Sequence, residues 1–110
     1  MSILPPEAIA ARALGETGIA IVDNEVLAEK ASSLGHHGRL VEKSLAALRA
    51  FDPATGTAEE RLALVRKAAR EVWAFFVQRE LCGLRDQKTV IQFYNIPGEV
   101  LAWLGAIEPK

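Results

Sequence analysis

One cysteine, Cys82, stands alone in 110 residues. No disulfide can close within the chain, and an exposed thiol would be a liability in an oxidising compartment, so the expected location is the cytoplasm. There is also no run of about 18 apolar residues, and no segment is expected to span a membrane as a helix. The stretch from Met1 to Gly18 carries Pro5 and Pro6 and has neither the basic leader nor the apolar run of a secretory signal. A basic excess is missing as well: the formal net charge is −1, and each half of the chain is close to balanced. Because phosphate contacts supply much of the affinity for nucleic acid, this balance counts against DNA or RNA as a partner. Missing too are a Ser-His-Asp set, a glycine-rich phosphate loop, a Cys-x-x-Cys pair and a zinc-helix motif. The reading therefore leans away from catalysis and assigns no cofactor and no metal.

What is present is a helical seam. Hydrophobic residues make up 50% and charged ones 25%, the balance of a chain that folds, and the length suits one core. From Leu27 to Leu48 the residues Leu27, Ala31, Leu34, Gly38, Val41, Leu45 and Leu48 recur at alternating steps of four and three. That spacing places one residue of every turn on a single stripe, with small side chains at Ala31 and Gly38 where a neighbour should come close.

Taken in order, residues 1–18 read as an N-terminal arm or short helix. Pro5 and Pro6 suit a helix start, and Gly15 and Gly18 suit its end, with Ile9, Ala10, Ala13 and Leu14 free to dock on the body. Residues 19–110 read as a single helical domain. Ile19 to Val22 has the β-branched content of a strand, but a lone strand of that length has no partner in this sequence, and helix is expected. Each glycine in a helix interior costs about 1 kcal/mol relative to alanine, so Gly35-His36-His37-Gly38 could mark a turn. The seam keeps its phase across them, which predicts one unbroken helix over 19–51, roughly 48 Å at 1.5 Å per residue.

Asp52 to Thr57 reads as a turn. Thr57 with Glu60 then forms a capping box for a second long helix over 58–82, ended by Gly83 in the left-handed conformation. Its Leu62, Val65, Ala69, Val72 and Phe76 repeat the seam, with Trp73, Val77 and Leu81 widening the face. A short connection makes the two long helices antiparallel neighbours. Short helices over 86–94 and 97–104 should then cover one end of the hairpin with Val90, Ile91, Phe93, Ile96, Leu101, Trp103 and Leu104. The expected fold is thus all-α, a long antiparallel hairpin with a short C-terminal helical cap. A two-helix layer buries only one face of each helix, and the long helices leave an overhang. A homodimer closing into a four-helix-type bundle is therefore expected, with room for a further protein partner.

Three features invite chemistry. Adjacent His36 and His37 point about 100° apart on a helix, and no good ligand stands three or four residues away, so the pair does not make a metal site. Arg79 falls where the second seam calls for an apolar residue. A buried guanidinium needs partners, and a structural ion pair with Asp86, Glu80 or an acid of the first helix is the ordinary reading. The sharper one is a small polar pocket for an anionic ligand, lined by Gln78, Arg79, Glu80, Arg85 and Asp86. The tail spacing Ile91, Asn95, Ile96, Leu101, Leu104 also fits a helix-turn-helix, yet its would-be recognition helix offers no arginine or lysine. Arg61, Arg66, Lys67 and Arg70 read as a solvated basic face.

In Ala31-Ser32-Ser33-Leu34-Gly35 leading to Arg39-Leu40-Val41-Glu42, in Val72 to Asp86, and in Ile96-Pro97-Gly98-Glu99-Val100-Leu101, the chain resembles a small bacterial family of unknown function. That resemblance implies a helical, cytoplasmic protein and carries no catalytic residues with it.

Overall fold

The computed structural model describes the backbone of residues 6–106 and the side chains of residues 24–106. Four helices follow one another: α1 (Pro6–Arg49), α2 (Ala58–Leu81), α3 (Gln87–Tyr94) and α4 (Gly98–Leu101). Among the described residues there is no strand. The chain divides into two compact units, Met1–Ser32 and Ser33–Lys110.

The first unit is helical from Pro6 onward. Gly15 and Gly18 do not end the helix, so the short arm expected before residue 19 is already part of α1. Isolated glycines cost about 1 kcal/mol each, which flanking alanine, leucine and glutamate can absorb where no partner structure competes. Ile19 to Val22 is helix as expected, since a strand there would leave its backbone groups unpaired. The docking expected of Ile9, Ala10, Ala13 and Leu14 concerns side chains outside the described residues. From Asn24 to Ser32 every side chain is exposed, including Leu27 and Ala31 of the seam.

The second unit holds the core. α1 passes through Gly35 to Gly38 without a break, and from there the seam does what its spacing predicts. Gly38, Val41, Leu45 and Leu48 are buried, with Leu34 packed against them. From α2 the buried residues are Val65, Ala68, Ala69, Val72, Phe75 and Phe76. Val65, Ala69, Val72 and Phe76 were expected there, and so was Leu62, which is instead exposed at the outer edge of the stripe; Ala68 and Phe75 were not expected. The face widens on their side rather than through Trp73 and Leu81, which stay exposed, because the tail covers that flank of α2. Gly38 lies against Phe75, while Ala47 and Leu64 line one hollow farther along, which is the pairing of an antiparallel hairpin.

Local signals in the second unit match the sequence closely. Thr57 accepts from the Glu60 backbone N–H at 3.1 Å, and the Thr57 N–H donates back to Glu60 Oε1 at 3.2 Å, completing the capping box. At the other end of α2, Gly83 has φ +81. The Leu84 N–H reaches the Arg79 carbonyl and the Gly83 N–H that of Glu80, a Schellman ending whose left-handed residue glycine supplies without Cβ strain.

The tail departs from expectation. Instead of capping one end, α3 and α4 run along the hairpin and close its third side. Val90, Ile96 and Val100 enter the core, and Ile91, Tyr94, Leu101, Trp103 and Leu104 pack against it. Two polar ties fix this course. Arg49 donates to the carbonyls of Tyr94 and Asn95 at 2.9 and 3.0 Å, satisfying acceptors that the end of α3 leaves open. Arg61 forks onto Glu99. Phe93, expected to cover the hairpin, is instead 76% exposed, since Val90, Ile91 and Tyr94 already fill the inward face of this two-turn helix.

Candidate functional site

Arg79 is half-buried near the C-terminus of α2. Its guanidinium stands 5.8 Å from the centre of the Phe75 ring and donates to the backbone carbonyl of Asp86 at 3.3 Å. A cation suits the last turn of a helix, where carbonyls lack partners. The structure therefore joins Arg79 to Asp86 through the main chain rather than through the carboxylate. That carboxylate caps α3, accepting from the Thr89 N–H at 3.1 Å and from the Thr89 hydroxyl. These bonds from Thr89 hold the Asp86 carboxyl below the usual carboxylate range, with Arg79 adding a little.

Of the other residues expected around Arg79, Gln78 is half-buried while Glu80 and Arg85 are exposed. The residue that sequence reasoning missed here is Tyr94. Its ring meets Phe75 edge to face at 5.7 Å. A Cβ on Gly38 would stand 2.8 Å from its hydroxyl oxygen. Burial raises the Tyr94 phenol above its ordinary range, Glu42 raises it further, and Arg79 opposes both. The expected close approach at Gly38 is real, then, but what approaches is a tyrosine hydroxyl and a phenylalanine edge rather than a helix backbone. No spacing rule connects residue 38 to residue 94, so the sequence carried no signal for this contact.

His36 and His37 lie edge to face with ring centres 5.7 Å apart, and among the described residues no three His, Cys, Asp or Glu side chains gather as a metal site. α4 is a single turn, with Val100 buried in the core, too short to lay a recognition surface along a DNA groove.

The outer face of α2, read from sequence as a solvated basic run, is more structured than that. Leu62, Arg66, Arg70 and Trp73 follow at steps of four, four and three and so share one stripe. Arg66 and Arg70 line an open groove of about 400 Å³ with Glu59, Leu62 and Ala63. Next to it, Arg70, Trp73, Trp103 and Gly105 line a second hollow of about 170 Å³. The Arg66 guanidinium lies 4.5 Å from the centre of the Trp103 ring, a cation–π contact that orients it. Its Nε is buried without a hydrogen-bond partner. Leu62 is 40% and Trp73 50% exposed. Leu62, Arg66, Arg70 and Trp73 of α2 and Trp103 of the tail thus stand together, apolar surface beside positive charge. The sequence showed the arginines; only the fold brings Trp103 to them.

The model of a family of unknown function, DUF6665, matches residues 7–110. No curated protein and no solved structure is similar enough to match.

Proposed function

The chain belongs to the DUF6665 family, whose function is unknown, and we propose that it is a helical interaction module that works as a homodimer. One observation carries this reading: the described side chains of the first unit are all exposed, among them Val26 and Leu27 at 40% and 61%. Helices in water draw most of their stability from packing an apolar face. A helix that presents valine and leucine to solvent gains that packing from a second molecule. Leu27 and Ala31 belong to the same four-and-three spacing that the second unit buries at Val41, Leu45 and Leu48, so the pattern for burial is written into the exposed part as well. Among the described residues no helix is long and apolar enough to cross a membrane.

Light scattering over a concentration series tests the reading. The expected mass is twice the 11.9 kDa of one chain, and V26S/L27S should shift the protein toward monomer while leaving its helix content unchanged. A monomer throughout the micromolar range would end the proposal.

A further inference from the structure

We infer that the hollow enclosed by α1 and α2 binds a small aliphatic carboxylate, of the size of hexanoate or octanoate. The inference stands apart from the homodimer reading, since every residue it uses lies in the second unit.

Shape is the first support. Leu40, Ser44 and Ala47 follow at steps of four and three on α1, and Leu64, Lys67 and Glu71 at steps of three and four on α2, so each set shares one stripe of its helix. Together with Lys43 they enclose a space of about 180 Å³. An apolar cavity of about 150 Å³ is enough to hold a molecule the size of benzene, and a short hydrocarbon chain is of that order. Small side chains at Ser44 and Ala47 leave the room. Leu40 and Leu64 are half-buried and Ala47 is exposed, so a chain laid between them removes apolar surface from water on both sides. Ser44 is buried, and its hydroxyl donates to the Val41 carbonyl at 3.0 Å. Its one proton is therefore committed, and the floor offers no side-chain donor to a sugar or a polar ring.

Charge is the second support. Lys43 borders the hollow from α1 and Lys67 from α2, and neither has an ion-pair partner among the described residues. A carboxylate at the mouth can meet both ammonium groups, while the lysine stems extend the apolar wall. Glu71 is the one acid of the lining. It stands a turn beyond Lys67 on α2 and repels an anion placed beside it, which directs the carboxylate toward the lysines. Two cations against one acid leave the rim positive, so an acid is favoured over an amine.

Isothermal titration of the full chain with sodium octanoate, with octan-1-ol and octylamine as probes of matched length, tests the site. Octanoate should bind once per chain, and the alcohol and the amine at least tenfold more weakly. K43Q/K67Q should weaken octanoate at least tenfold and leave the alcohol unchanged, whereas Glu71→Gln should tighten octanoate severalfold. Ala47→Leu, at an exposed position, should fill the hollow and abolish binding with helix content unchanged by circular dichroism, and it decides the matter if the lysine variant does not fold. No saturable binding of octanoate in the millimolar range, an alcohol that binds as tightly as the acid, or full binding by folded Ala47→Leu would overturn the site.

Discussion

Residues 24–32 and residues 38–48 lie on one helix, share one spacing of apolar and small side chains, and meet opposite fates. In the second stretch Gly38, Val41, Leu45 and Leu48 are buried against α2 and the tail; in the first, Leu27 and Ala31 face solvent. Periodicity states which face of a helix is fit to be buried. Whether anything covers it depends on what the rest of the chain, or another chain, brings to it. Within the second unit α2 covers α1 along the second stretch, and the exposure of the first stretch is what the homodimer proposal rests on.

The comparison breaks most sharply at the two leucines. Leu45→Ala should cost about 2–5 kcal/mol, the range for emptying a packed site. Leu27→Ala should leave the stability of the monomer within about 0.5 kcal/mol, as exposed substitutions generally do. Chemical denaturation of both variants at low protein concentration checks this, and equal losses would show that Leu27 is covered within its own chain. The two glycines of the histidine segment give a finer contrast. Gly38→Leu drives a side chain into Tyr94 and Phe75 and should cost about 1–3 kcal/mol by overpacking. Gly35, whose added Cβ would meet only the end of the Arg39 side chain at 3.3 Å, should gain up to about 1 kcal/mol as alanine. Melting temperatures moving in opposite directions are the expected result.

The smallest effect is electrostatic and confined to the second stretch's surroundings. The carboxyls of Asp86 and Glu99 are both held below their ordinary values, by the hydrogen bonds from Thr89 and from Arg61 respectively. Groups lowered in the folded state stabilise it fully above the unfolded carboxylate pKa of about 4, and that stability is lost as pH falls through their lower folded values. Melting temperature should therefore drop on acidification below pH of about 4, and D86N/E99Q should flatten that limb. Both groups are exposed, so added salt should weaken the Arg61–Glu99 part.

Much of the fold was legible because the signals are local. The capping box at Thr57, the glycine stop at Gly83 and the unbroken phase through Gly35 to Gly38 each depend on residues within one or two turns, and all three are where the spacing places them. Pro6 marked the start of α1, but its continuation past residue 18 was not legible, because Gly15 and Gly18 cost too little to stop a helix that nothing else interrupts. Arg79 was found by its break in the apolar pattern, yet its partner is the Asp86 carbonyl, which no pattern of side chains announces. The outer face of α2 was only half visible. Arg66 and Arg70 stand out in sequence, while Trp103 reaches them through the course of the tail.

The sequence by itself determined that this chain is helical, where α2 begins and ends, and which stripe of each long helix is apolar, because backbone hydrogen bonding and side-chain period act over a few residues. Only the tertiary structure decided that the tail lies along the hairpin, that a tyrosine fills the space kept by Gly38, and that the leucine at 27 is left without cover. Those outcomes depend on contacts between residues 30 to 60 positions apart, whose closure is set by the packing of the whole unit.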